Sequence, residues 1–75
     1  MHMGKVKWFN NRQGFGFILS DDHDEELFAH YSAIQAEGYK SLKSGQDVKF
    51  ETKQQESGIH AINIQPVQWI PFLTE

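Results

Sequence analysis

Short runs of alternating apolar and polar residues, separated by clusters of turn-forming residues, make up this chain. A period of two is typical of β-strands, and no 3.6-residue period continues along the sequence for the length of a helix. The pattern predicts strands at 5–10, 15–20, 26–30, 46–53 and 59–65. One helical turn is expected at 32–36, with Ser32 as its N-cap.

The connections between these strands indicate how they pair. The polar turns at 10–14 and 21–25 are short enough for antiparallel hairpins, and Ser57 and Gly58 form a third turn. A longer connection lies between the third and fourth strands. This order predicts an all-β protein, a five-stranded antiparallel Greek-key barrel such as the oligonucleotide-binding (OB) fold.

Composition narrows the class of protein further. A length of 75 residues allows one domain, and the absence of cysteine excludes disulfides and thiolate metal sites. With no long apolar run and no charged-then-apolar leader, we expect a soluble cytoplasmic protein with no membrane partner. We predict a cloning remnant plus the start methionine at 1–3, one domain at 4–66 and an apolar C-terminal extension at 67–75.

Charge is distributed unevenly along the chain. The net charge is −3, yet residues 1–19 contain Lys5, Lys7 and Arg12 and no acid, whereas 21–26 is almost entirely acidic. Such segregation allows one surface to be basic although the molecule as a whole is acidic.

Aromatic side chains are concentrated on the second and third strands. Alternation places Phe15 with Phe17 on one face of the second strand and Phe28 with His30 on one face of the third. If the two strands pair, these four side chains form a continuous aromatic patch. The opposite faces supply a predicted interior of Ile18, Leu27, Ala29, Val48, Phe50, Ile62 and Ile64.

The aromatic patch itself has two interpretations. Phenylalanines in strands are often core residues, but His30 would then need a buried partner, and the other face already provides an interior. An exposed patch of this kind usually marks a binding site, and aromatics interleaved with lysine suit single-stranded nucleic acid. His23 and His60 are in or beside turns and are expected to face solvent, with His60 near an edge of the nucleic-acid site.

Three segments then reveal a family resemblance. KVKWFN at 5–10, GFGFI at 14–18 and LFAH at 27–30 resemble the first strand and the two RNP-like motifs of bacterial cold-shock domains. The similarity continues in order and spacing from residue 4 to residue 66. FAHYS at 28–32, with Pro66 and Val67, is most similar to the D-type subgroup.

The resemblance implies a barrel that binds single-stranded DNA and RNA with a thymine or uracil preference and acts as an RNA chaperone or as a regulator of transcription, translation or replication. It implies no enzymatic activity, cofactor or metal. The stacking residues that it implies are Trp8, Phe15, Phe17, Phe28, His30, Tyr31 and Tyr39. Lys7 matches a lysine that contacts the nucleic-acid backbone, and we expect Lys5, Arg12 and Lys40 to add basic contacts.

Two positions in this region depart from the simple pattern. Ideal alternation would place Trp8 on the same face as Val6, so an exposed Trp8 requires a bulge or strong coiling in the first strand. Gln13 stands where the family usually has lysine, which predicts weaker phosphate binding unless Arg12 substitutes for it.

Other functions receive less support from the sequence. Gly14 and Gly16 lack the third glycine of a dinucleotide-binding loop, and no acid is evident to orient His30 as a base for Ser32. The alternative to nucleic-acid binding is a protein-interaction module that uses the aromatic patch and the apolar extension. That extension could pack on its own barrel, join two copies in a homodimer or bind a partner, and we expect Trp69 to be largely buried.

Overall fold

Five strands form a closed barrel in the computed structural model, which describes residues 1–35 and 41–67. Their bounds are β1 His2–Asn10, β2 Phe15–Ser20, β3 His23–His30, β4 Asp47–Gln55 and β5 Gly58–Pro66. The predicted all-β barrel is confirmed, although several strands are longer than the pattern indicated. The predictions for Tyr39, Lys40 and Trp69 lie outside the described residues.

The barrel closes through two different kinds of pairing. The neighbours β1–β2, β2–β3, β1–β4 and β4–β5 are antiparallel, whereas β3 meets β5 in parallel, with Phe28 opposite His60. The order β1-β2-β3-β5-β4 therefore places the last strand between the third and the fourth. As a result, β5 lies beside the strand that carries half of the aromatic patch.

The core is formed by the inner faces of the strands together with Ile34 and Leu42 from the connection between β3 and β4. Its buried side chains in the described part of the chain are Val6, Ile18, Leu27, Ala29, Ile34, Leu42, Val48, Phe50, Ala61 and Ile64. The aromatic patch is absent from this cluster, so the barrel interior is built without it. The interior predicted from the sequence is correct except at Ile62.

Ile62 is only half-buried because β5 contains a register shift. Asn63 has a φ of 49°, and the shift against β4 falls between Lys49 and Glu51. This irregularity places Ala61 and Ile64, which are three residues apart, on the inner face, and it pairs Ile62 with the exposed Glu51. A single added residue moves the side chains that follow it to the other face, which simple alternation cannot anticipate.

The bulge that we expected in β1 is present. Val6 pairs with Ile18 and Trp8 pairs with Phe17, so Lys7 is the additional residue between two consecutive partners. Val6 is buried and Trp8 is 37% exposed. The bulge therefore lets one strand direct Val6 inward and Trp8 outward.

The helical turn after β3 differs from the prediction. It is a 3-10 helix at Tyr31–Ala33, and its N-cap is His30 rather than Ser32. The Nδ1 atom of His30 accepts a hydrogen bond from the Ser32 amide at 3.2 Å, so the imidazole performs the capping role that we had assigned to the serine hydroxyl. In residues 1–35 and 41–67, no helix has the length and apolar character needed to span a membrane.

Candidate nucleic-acid interface

The four side chains of the aromatic patch lie next to one another on the outer surface of β2 and β3. Phe15 pairs with His30, and Phe17 pairs with Phe28. The ring centroids of Phe15 and Phe28 are 6.0 Å apart with the rings nearly parallel, and those of Phe17 and Phe28 are 5.8 Å apart in an edge arrangement. All four side chains are half-buried, so each ring keeps part of its surface accessible.

Trp8 extends the aromatic patch onto β1. Its ring centroid is 5.4 Å from that of Phe17 and 5.8 Å from that of Phe15. Because the bulge turns this indole outward, the ring is both exposed to solvent and in contact with the aromatic patch. The arrangement offers several π-surfaces in series, each able to stack with a planar base.

Tyr31 borders the aromatic patch at the other end. It is 49% exposed, and its ring centroid is 4.6 Å from that of His30. The Tyr31 amide donates to the Gly14 carbonyl at 2.8 Å, and a Cβ at Gly14 would lie only 2.5 Å from the tyrosine ring. Gly14 also has a φ of 84°, so both space and backbone geometry favour glycine here.

Gly16 controls how closely β1 approaches β2 beneath the aromatic patch. A Cβ at this position would lie 2.2 Å from the Trp8 carbonyl oxygen and 2.6 Å from the Phe9 Cα. Both atoms belong to the backbone and cannot move aside as a side chain could. The Gly-Phe-Gly-Phe segment thus combines outward aromatics with inward residues small enough for close strand packing.

Two of the predicted basic contacts are held in ion pairs. The Lys7 ammonium binds the carboxylate of Glu26, and the Lys5 ammonium lies 2.6 Å from an oxygen of Asp47. In both pairs the two side chains are substantially exposed. The basic segment and part of the acidic segment therefore meet in space, and the strongly basic surface that the sequence suggested is partly neutralised.

The turn between β1 and β2 carries Arg12 and Gln13, both exposed. The Asn10 side-chain oxygen accepts hydrogen bonds from the amides of Arg12 and Gln13 at 3.0 and 2.9 Å, which is how a side chain stabilises a tight turn. The Asn11 side chain forms two hydrogen bonds with the backbone of Leu42, which ties the turn to the segment that precedes β4. Both candidate positions for phosphate contact are thus on a defined turn.

His60, which the sequence placed only near an edge of the site, is in direct contact with the aromatic patch. His60, which we had expected to face solvent, is half-buried with its ring centroid 4.9 Å from that of Phe28. Its Nε2 atom lies 3.1 Å from the Ser57 hydroxyl. Its contact with Phe28 depends on the strand order, because β5 had to be placed beside β3 before residue 60 could meet residue 28.

His23 also departs from the expectation of a solvent-facing side chain. It is half-buried, its ring centroid is 4.9 Å from that of His2, and its buried Nδ1 atom has no hydrogen-bond partner in the part of the chain that the structure describes. His2 also lies 3.0 Å from a carboxylate oxygen of Asp22. Within residues 1–35 and 41–67, no group of three or more His, Asp or Glu side chains is arranged to hold a metal ion.

Comparison with known proteins places this architecture in a family. Residues 2–67 match the model of the 'Cold-shock' DNA-binding domain. The chain is 52% identical to the Cold shock-like protein CspD of Haemophilus influenzae, over 89% of this chain and 93% of the relative. It is 53% identical to the protein of the same name from Escherichia coli, over 91% of this chain and 92% of the relative.

Another bacterial relative and a solved structure extend the comparison. Identity to the Cold shock-like protein CspB of Bacillus cereus is 51%, over 81% of this chain and 92% of the relative. The barrel superposes on the solved structure named drosophila Unr CSD456 with a TM-score of 0.74 and 24% identity, over 89% of this chain and 26% of that longer one. The resemblance to D-type cold-shock proteins is confirmed, and the chain belongs to the cold-shock domain family.

Proposed function

We propose that this protein binds single-stranded DNA and RNA with little sequence preference, and that the bases stack on the aromatic patch together with Trp8 and Tyr31. The main support is the series of ring contacts on the outer surface of a barrel whose core is complete without them. Membership of a nucleic-acid-binding family is the second support. Stacking accepts any base, because every base has a π-face.

The basic side chains have a secondary role in this proposal. Lys7, Lys5 and Arg12, with Lys40 from outside the described residues, would flank the strand and contact its phosphates. Tyr39, also outside the described residues, would add a further stacking ring. Because two of these lysines are already ion-paired, we expect few phosphates to be neutralised. Two to four neutralised phosphates give a slope of log K against log salt of about −1.4 to −2.8, at about −0.7 per phosphate for single strands.

The cellular role follows from this type of binding. We propose a non-enzymatic protein of the cytoplasm that acts as an RNA chaperone or as a regulator of transcription, translation or replication, with a preference for thymine or uracil. It would act as a monomer or as a homodimer joined through residues 67–75. Weak base discrimination suits such roles, because many different transcripts or unwound strands must be accepted.

The test is a titration with a labelled oligo-dT and with duplex DNA of equal length. We expect binding to the single strand and little binding to the duplex. Phe17→Ala and Phe28→Ala should each weaken oligo-dT binding by roughly 1–3 kcal/mol, the usual contribution of one stacking platform. Leu19→Ala is the matched control, because this exposed apolar side chain is on the same strand outside the aromatic patch.

Three results would count against the proposal. If circular dichroism shows that Phe17→Ala is unfolded, the aromatic patch is a structural element of the fold and not a binding surface. Equal affinity for duplex DNA would contradict stacking on exposed bases. Binding to proteins that persists as salt rises, without any affinity for oligo-dT, would favour the protein-interaction alternative, since apolar association does not weaken with salt.

A further inference from the structure

A line of cross-strand partners crosses all five strands of the barrel. Trp8 is opposite Phe17, Phe17 is opposite Phe28, Phe28 is opposite His60, and His60 is opposite Lys53. Directly opposed residues on neighbouring strands project to the same side of a sheet. We refer to these five side chains as the cross-strand row.

The ring surface of the row continues past the last phenylalanine. The centroid distance from Phe28 to His60 is 4.9 Å, which is shorter than the 5.8 Å between Phe17 and Phe28. The Ser57 hydroxyl lies 3.1 Å from Nε2 of His60 and holds the ring at this position. The ring surface is therefore continuous from β3 to β5.

Lys53 ends the row on β4 with an exposed ammonium group. Unlike Lys5 and Lys7, it has no ion-pair partner among the residues that the structure describes. The nearest acid on the same face of β4 is Glu51, whose carboxylate accepts a hydrogen bond from the side-chain Nδ2 of Asn63 at 2.6 Å. Lys53 is thus better placed than either paired lysine to bind an incoming phosphate without first breaking an ion pair.

We propose that the row is the path of a bound strand beyond the aromatic patch, in which His60 stacks on one additional base and Lys53 binds a phosphate. This inference rests on the proposed function and extends its site across β5 onto β4. The row offers a ring surface followed by a cation. This order matches the alternation of base and phosphate along a single nucleic-acid strand. Sites on OB-type folds range from about 4 to 16 nucleotides, so an extension of this length is within their range.

The test compares a short and a long oligo-dT, of about six and about ten nucleotides, both within the range of OB-type sites. For the long oligonucleotide, His60→Ala should weaken binding at least about five-fold, the lower end for loss of one stacked base. Lys53→Gln should make the salt slope shallower by about 0.7, as expected for one phosphate contact. For the short oligonucleotide, both variants should bind nearly as the unmodified protein does.

Matched variants separate the row from general effects. Lys49→Gln removes the same charge from the outer face of β4 but outside the row, and it should leave the salt slope almost unchanged. His60→Gln keeps a hydrogen-bonding group for Ser57 while removing the ring, so it should resemble His60→Ala if stacking is the cause. Thermal unfolding of each variant identifies any that are destabilised.

The outcomes distinguish this inference from the proposed function. If Phe17→Ala weakens both oligonucleotides while the His60 and Lys53 variants weaken neither, the extension is wrong and the aromatic patch is the whole site. If the two variants weaken the short and long oligonucleotides equally, the row does not act as an extension. If the unmodified protein binds neither oligonucleotide, the proposed function itself fails.

Discussion

The ion pair between Lys7 and Glu26 leads to a prediction about affinity. Lys7 is the lysine that the family resemblance assigns to the nucleic-acid backbone, yet in the folded protein its ammonium binds a carboxylate. A phosphate approaching Lys7 must therefore compete with Glu26 and is also repelled by it. We expect Glu26→Gln to strengthen binding of single-stranded nucleic acid.

Two contributions set the size of this effect. The side chains of Lys7 and Glu26 are 45% and 40% exposed, and an exposed ion pair contributes about 0.2–1 kcal/mol, which the variant no longer has to give up on binding. A carboxylate and a phosphate about 6 Å apart repel by roughly 0.7 kcal/mol in water, before screening by salt. Together we expect about 0.5–1.5 kcal/mol, or roughly 2- to 12-fold tighter binding at low salt.

The assay is fluorescence anisotropy of a labelled oligo-dT at several salt concentrations. The gain should shrink as salt rises, because both contributions are electrostatic and partly exposed. Glu25→Gln is the control, since it removes the same charge one residue away, where strand alternation directs the side chain to the other face. If both variants bind oligo-dT more tightly by the same factor, the effect comes from the change in net charge and not from the ion pair. If Glu26→Gln binds no more tightly than the unmodified protein, Lys7 does not contact a phosphate.

Three further predictions concern other parts of the chain. Gln13→Lys should tighten oligo-dT binding at low salt and steepen the salt slope, and an unchanged slope in the same anisotropy assay would mean that residue 13 points away from the strand. Gly16→Ala should destabilise the fold by about 1–3 kcal/mol or more in urea unfolding, because its Cβ would meet backbone atoms of β1 at 2.2–2.6 Å; wild-type stability would contradict this close approach. Truncation after Val67 should lower the melting temperature or convert a dimer to a monomer while oligo-dT binding is kept, because the removed segment includes Trp69 and other apolar side chains. An unchanged melting temperature and mass would show a free peptide, and tighter DNA binding would show that the segment covers the aromatic patch.

The local pattern of apolar and polar residues determined which faces of several strands point inward and outward. Alternation in the segments around Phe17 and Phe28 assigned the inner and outer faces of β2 and β3 correctly, because side chains in any regular strand alternate with a period of two. The conflict between Val6 and Trp8 even indicated a bulge in β1, since no regular strand could direct both as required. These features depend on neighbours in sequence, and the sequence contains them.

Only the tertiary structure decided which residues of distant strands come into contact. Glu26 neutralises Lys7 because β3 and β1 both flank β2, and His60 meets Phe28 because β5 enters the barrel between β3 and β4. Ile62 faces outward because the register shift near Asn63 interrupts the alternation of β5. Strand order and register arise from the closure of the whole barrel, in which each strand must satisfy two neighbours at once, so no single segment of the chain specifies them.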